Sequence, residues 1–436
     1  MPIIDKSKIK EIMSKKHIKT QTELAKKMGV TKSQLSFLLS NSFEPVKQSV
    51  IRLAETLDMS PMDIIEDSSV ERVKEPTYNS QKTNINVLEL FAGGGGLALG
   101  LEKAGLNTKA LIEIDEDCCK TLRINRPEWN VINEDIREID FRDFKVKDID
   151  VITGGFPCQA FSYAGKKLGF EDTRGTLFFE FARAVKQLQP KLFVAENVRG
   201  ILNHDKGKTL VTILKVLSDF GYDVKYKLLN SVNYFVPQKR QRVFIIGTKP
   251  GYEFGYPKPF DTIKTIRDAL KDCPSSKGAQ YSEKRRKVYE LVPPGGYWRD
   301  LPEEVAKDFM GKSYYSGGGR TGMARRMSWN EPCLTVMTSP AQKQTERIHP
   351  EETRPFTVRE NARIQTFPDD WEFLGSMYSQ YKQVGNAVPV KLAYFIGKAI
   401  KDSIRNIKKT NKKDDIKESN AQLAFEANYK NYEENW

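Results

Sequence analysis

From residue 85 onward the chain alternates short apolar runs with amphipathic stretches. Runs at 86–91, 109–114, 148–153, 191–196 and 242–248 read as strands, whereas 97–104, 117–125, 178–187 and 209–220 carry helical spacing. Such alternation predicts a parallel sheet covered by helices. Residues 1–71 hold only helical patterns. In Thr20-Gln21-Thr22-Glu23 a hydroxyl and a carboxylate three residues on make a capping box, so a helix starts at or just after Thr20 and places Leu24, Ala25, Met28 and Val30 on its inner side. Gly29 stops it, and Thr31-Lys32-Ser33-Gln34 opens a second helix with Leu35, Leu38 and Leu39 inward. A further helix at 50–57 and a cap at Ser60-Pro61-Met62-Asp63 complete this unit. Residues 72–85 are polar and aperiodic, a linker. The strand and helix grammar of 86–250 breaks over 251–375 into Gly, Pro and charged residues, returns at 376–400, and leaves a charged tail at 401–436.

Two short helices about a glycine turn form a helix-turn-helix. The spacing of Ala25, Gly29 and Leu35 resembles the phage-repressor type of that motif. The resemblance implies that Thr31, Lys32, Ser33 and Gln34 face bases and phosphates in the major groove, and that the domain pairs into a dimer on paired half-sites. A plain helical packing module is the alternative.

Seventy Lys and Arg against fifty-seven Asp and Glu give +13, which suits a polyanionic partner or, more plainly, solubility. The longest apolar runs are a handful of residues, such as 243–246, so no membrane span is expected, and residues 1–16 lack a signal-peptide core. A cytoplasmic location follows as the expectation. Five cysteines without a Cys-x-x-Cys pair, and His17, His204 and His349 far apart, predict neither a disulfide scaffold nor a metal site.

Chemistry concentrates at two strand ends. Ala92-Gly93-Gly94-Gly95-Gly96 leads from the first strand into a helix, and Glu113 ends the next strand, where a carboxylate can accept both hydroxyls of a ribose. Asp135 is placed for an adenine amino group. Two carboxylates without a nearby phosphate-binding lysine favour S-adenosylmethionine over a dinucleotide, loop-end capping being the structural alternative. The second end, Gly154-Gly155-Phe156-Pro157-Cys158-Gln159, puts a cysteine outside any apolar period, unlike Cys118, Cys119, Cys273 and Cys333, which read as core.

Phe156-Pro157-Cys158-Gln159, Glu196-Asn197-Val198, Gln238-Lys239-Arg240-Gln241-Arg242 and Gly385-Asn386-Ala387-Val388-Pro389 resemble, in order, the signature motifs of the DNA (cytosine-5) methyltransferases. The 91–96 loop matches the family's cofactor motif, 169–175 its mobile loop, and Thr357-Val358-Arg359-Glu360 with Phe367-Pro368-Asp369 the close of its target-recognition domain. The resemblance spans about 86–400 and implies a Rossmann-like α/β mixed sheet with an inserted, irregular target-recognition domain at 251–375, behind the all-α domain at 1–71.

In that resemblance Cys158 adds to C6 of a flipped-out cytosine, Glu196 shares a proton near N3, and Arg240 and Arg242 hold the base carbonyl and a phosphate. Cofactor contacts carry over to Phe91, Gly93, Gly95, Glu113, Ile114, Asp135, Ile136, Phe156, Leu177, Asn386 and Ala387. Ile114, Gln241 and Ala387 stand where Trp, Glu and Ser are common in the family. Gln159 and Ser162 beside the nucleophile, and Arg320, Arg325, Arg326, Gln342, Lys343 and Gln344 in the insert, are the candidate contacts to double-stranded DNA. A restriction endonuclease would be a partner by gene linkage only. An RNA cytosine methyltransferase and a non-enzymatic DNA-binding regulator are the alternatives; the helix-turn-helix and the long insert favour duplex DNA, and the intact Cys158, Glu196 and Arg242 favour an enzyme.

Overall fold

A computed structural model describes residues 3–4, 6–30, 35–36, 39, 53–59, 65–66, 75, 78, 81–144, 146–157, 177–316 and 322–405. At the N-terminus, α1 (Lys6–Lys15) and α2 (Gln21–Lys27) enclose a small core of Ile9, Met13, Leu24, Ala25, Met28, Leu35, Leu39, Leu53 and Leu57. The predicted helix start is present but the capping box does not close: Thr20 Oγ1 accepts the Glu23 amide at 3.1 Å, whereas Glu23 Oε2 accepts the amide of Lys19, one residue before the N-cap, at 3.0 Å. Leu38, the 60–63 cap and the second helix's Thr31, Lys32, Ser33 and Gln34 lie outside the described residues.

The catalytic-type domain runs β1 (Asn86–Leu90), α3 (Gly96–Lys103), β2 (Asn107–Ile112), α4 (Glu116–Asn125), β3 (Val131–Ile132), β4 (Val151–Gly154), α5 (Leu177–Leu188), β5 (Leu192–Val198), α6 (Lys208–Ser218), β6 (Asp223–Asn230) and β7 (Gln241–Thr248). These strands make one seven-stranded sheet in the order β3-β2-β1-β4-β5-β7-β6. The first five are parallel; β7 runs antiparallel to both β5 and β6. The alternation-based expectation of a parallel sheet is corrected here to a mixed one. It missed β6, whose Asp223, Lys225 and Lys227 face solvent on a sheet edge and break the apolar run that signals a buried strand.

Phe156, Phe178, Phe181, Val185 and Phe193 fill one face of the sheet, and Leu97, Leu101, Val151, Phe244 and Ile396 the other. The second face is closed by α12 (Val390–Arg405) lying on α3. Contact is close because Gly100 has no side chain: a Cβ there would stand 2.3 Å from that of Ala393. The returning segment is therefore part of the domain core.

Between β7 and α12 lie α7 (Ile266–Leu270), α8 (Glu283–Tyr289), α9 (Glu303–Met310), α10 (Val358–Ile364) and α11 (Met377–Asn386). Tyr281, Tyr289, Val292, Trp298, Met310, Met323 and Ile348 form a core of their own. Ile266, Val336, Phe356, Phe367 and Trp371 instead pack with Leu99 and Leu122 of α3 and α4. The independently packed part of the insert is thus narrower than 251–375, because both of its flanks bury their apolar residues on the catalytic-type domain.

Candidate active site

The site lies beyond the C-terminal ends of β1, β4 and β5, where the strand order reverses around β1. Gly95, at φ 84°, is the N-cap of α3 and turns the chain sharply into the helix. Glu113, just past β2, pins this loop: its Oε2 accepts the Gly93 amide at 2.7 Å and its Oε1 the Asp115 amide at 2.8 Å. The loop-capping alternative for Glu113 is therefore realised, and it also fixes the carboxylate at the rim of the loop.

A Cβ on Gly93 would meet nothing within 4 Å, and the neighbouring Ile114 is 63% exposed. Open backbone, a fixed carboxylate and an exposed apolar plate fit a ribose with its adenine. Asp135 caps a turn at Ile136–Glu138 and pairs with Arg137 at 2.5 Å, which holds its carboxyl below the usual range. Ile136 and Phe156 are buried in the wall, Phe156 packing edge-on to Phe178 at 5.4 Å. Phe91 holds a left-handed backbone at φ 57°, Leu177 opens α5, and Asn386 and Ala387 close α11, Asn386 exposed and Ala387 buried.

On the other side, Glu196 sits in β5 and Arg242 in β7. Register places Val198 opposite Arg242 and Glu196 opposite Phe244, so Glu196 and Arg242 are diagonal neighbours on one face. Arg242 Nε lies 2.8 Å from Glu196 Oε1, both side chains largely buried. The approach is close but poorly aligned, and Oε1 has no hydrogen-bond partner among the described residues. Burial pushes the Glu196 carboxyl above its ordinary range, with Arg242 and then Arg240 opposing the rise. A methyl group built on Gly155 would come within 2.9 Å of Glu196 Oε2, so the Gly155-Phe156-Pro157 segment leading to Cys158 passes directly over this carboxylate.

Arg240 departs from expectation. It precedes β7, outside the continuous strand that would place it on one face with Arg242. It is buried, and its guanidinium donates to the carbonyls of Val336 at 3.4 Å and Asn386 at 3.2 Å. It ties the root of the insert to the end of α11, and its charge also acts on Glu196.

Three residues were not singled out from sequence. Asn197 Nδ2 donates to the Phe156 carbonyl at 2.9 Å, joining β5 to the segment before Cys158. Gln238 Nε2 donates to Gln365 Oε1 at 2.8 Å, and Gln365 Nε2 to the Val384 carbonyl at 2.8 Å. Asn197 and Gln238 lie inside quoted motifs, which was the available signal; nothing local marks Gln365.

Arg326 is corrected as a DNA contact. It is buried, donating to the carbonyls of Val292 at 2.7 Å, Tyr289 at 2.8 Å and His349 at 3.1 Å, so its charge is spent inside the insert. Arg325 is half-buried over the Tyr297 ring, while Gln342, Lys343 and Gln344 are exposed. Cys158, Gln159, Ser162, the 161–175 loop and Arg320 lie outside the described residues. Among the described residues no cluster of His, Cys, Asp and Glu is arranged to hold a metal, and no helix is long and apolar enough to cross a membrane.

An α/β domain with a reversed seventh strand and a buried Glu–Arg pair beside the glycine loop is a methyltransferase arrangement, and residues 85–402 match the family model described as C-5 cytosine-specific DNA methylase. The chain belongs to that family, and is an enzyme that transfers a methyl group from a donor to cytosine C5 in DNA. Residues 8–68 match the Cro/C1-type helix-turn-helix DNA-binding domain. The chain is 53% identical over 420 residues to the type II methyltransferase M.Sau96I of Staphylococcus aureus, covering 91% of this chain and 98% of that one. It is 57% identical over 335 residues to M.Eco47II of Escherichia coli, covering 74% and 80%. A crystal structure of a prophage-encoded DNA modification methyltransferase of E. coli aligns with a TM-score of 0.56 at 27% identity, over 74% of this chain and all of that one.

Proposed function

We propose that this enzyme uses S-adenosylmethionine to methylate a flipped-out cytosine within a specific double-stranded sequence, as the modification partner of a restriction system. The observation that carries the chemistry is the buried Glu196 oxygen, lacking a well-aligned donor, against Arg242 at 2.8 Å. Unsatisfied buried acceptors are rare in folded proteins, and here a protonated carboxyl would meet N3 of the base.

The Cys158 thiolate adds to C6, the ring's displaced electron pair being stabilised as Glu196 delivers a proton to N3. The resulting enamine makes C5 nucleophilic. Arg242 balances developing charge at the base carbonyl, and Asn197 steadies the Phe156 carbonyl on the approach to Cys158. Glu113, the Gly93 backbone and Ile114 would hold the ribose and adenine of S-adenosylmethionine, which supplies an electrophilic methyl group. Loss of the C5 proton to solvent, departure of the thiolate and return of the N3 proton to Glu196 then release the neutral product. Tritiated methyl transfer to matched DNA and RNA substrates tests this reading; transfer to RNA alone would defeat it.

Sequence preference resides in the insert, where Arg325, Gln342, Lys343 and Gln344 are available donors and Arg320 is retained as a candidate. Exchanging the independently packed region, about 281–348, for that of a relative with another target should carry the specificity with it. An active exchange that still methylates the original sequence would sink the assignment.

The N-terminal domain acts as a transcriptional autoregulator, binding as a dimer to an inverted repeat near its own operon in the cytoplasm. The supporting argument is redundancy: the methyltransferase already reads its own target, so a second reader serves a second site. Full-length protein should leave a footprint on that promoter. Protection no better than on random DNA, with steep salt dependence, would reduce the domain to an accessory clamp.

A further inference from the structure

A cavity of about 490 Å³ opens beside the Glu196–Arg242 pair, lined in part by Val198, Arg199, Lys239, Gln241, Arg242 and Thr335. Three of these residues are cations. Arg242 faces Glu196 at 2.8 Å and Lys239 faces Glu331 at 3.3 Å. Arg199 is different: its Nη1 donates to the neutral amide oxygen of Gln241 at 3.0 Å, and no carboxylate lies within ion-pair distance of it among the described residues. Register explains the contact. Arg242 lies opposite Val198, so Gln241 comes alongside the next residue, Arg199.

We infer that Arg199 grips a backbone phosphate flanking the target nucleotide, and that Gln241 keeps it available by orienting the guanidinium without neutralising it. The inference rests on the reading that Glu196 and Arg242 face the target base. Arg199 stands three residues beyond Glu196, about 10 Å along an extended chain, on the mouth side of the base pocket. A base inserted to Glu196 leaves its sugar and phosphate at that mouth. Val198, 42% exposed, offers the apolar surface a deoxyribose needs between the two. A guanidinium with spare N–H donors can take a phosphate through two parallel bonds, which a lone ammonium cannot. Gln241 occupies only one of those donors.

The test uses full-length protein and duplex DNA carrying a site that the wild type methylates. Arg199→Ala should lower the slope of log affinity against log salt by about one phosphate's worth, roughly 0.9, and weaken cognate and unrelated DNA alike. Single-turnover methyl transfer at saturating DNA should stay within about twofold, since the loss is in uniform binding. Gln241→Glu should shift affinity and slope in the same direction, because the new carboxylate captures Arg199. A methylphosphonate scan of the phosphates around the target should find one position that weakens the wild type and leaves Arg199→Ala unaffected. An unchanged slope in Arg199→Ala, tighter binding by Gln241→Glu, or no such phosphate overturns the inference. Failure of the base-pocket reading would look different, as full single-turnover activity in Glu196→Ala.

Discussion

Replacing Cys158 by alanine should reduce methyl transfer to background while leaving DNA affinity within a few-fold of the wild type. Attack at C6 requires a nucleophile that can also leave, and no other cysteine can substitute. Cys118, Cys119 and Cys333 are buried; burial holds the Cys119 thiol up at about 11 and the Cys333 thiol at about 12, so neither forms a thiolate near neutrality. Cys273, partly exposed, lies on the flank of the insert, packed near Arg363. The proposed binding determinants, Glu113, the glycine loop, the insert and the cation-lined cavity, are separate from Cys158. Duplex DNA with 5-fluorocytosine at the target should trap a covalent adduct with the wild type, because fluorine blocks the final elimination. Equal adduct formation by Cys158→Ala would refute the assignment.

Glu196→Ala should slow single-turnover methylation by roughly 10²–10⁴-fold, the range for losing a positioned proton donor. The pH dependence gives a sharper test. Burial raises the Glu196 pKa in the folded enzyme, so the protonated donor persists above the ordinary carboxylate range and is lost as pH rises through the raised value. Cys158 has the opposite sign, since its thiolate is gained as pH rises. The wild type should therefore show an acidic limb from Cys158 and an alkaline limb from Glu196. Glu196→Gln can donate an N–H at any pH but cannot deliver a proton, so it should be slow and lack the alkaline limb. Retention of that limb in Glu196→Gln would assign it to another group.

Much of this was legible along the chain because it depends on neighbours in sequence. The Thr20 N-cap, the glycine turn into α3, four of the five strands of the parallel part and the ordered motifs with Cys158, Glu196 and Arg242 all declare themselves by local spacing, whereas the two-residue β3 does not.

What the sequence left open was which partner each polar group would find across the fold. Arg325 and Arg326 are adjacent and chemically identical. Only packing decides that Arg326 is consumed by the carbonyls of Tyr289, Val292 and His349 while its neighbour lies over Tyr297. Arg240 and Arg242 are two apart, yet the strand break before Gln241 sends one to Val336 and Asn386 and the other to Glu196. The edge strand β6 and the buried Gln238–Gln365 pair, 127 residues apart, likewise exist only through long-range pairing. Side-chain type and local period are properties of the chain; the partner that satisfies a buried donor is set by tertiary geometry, because a buried polar group must be paired wherever the fold happens to place it.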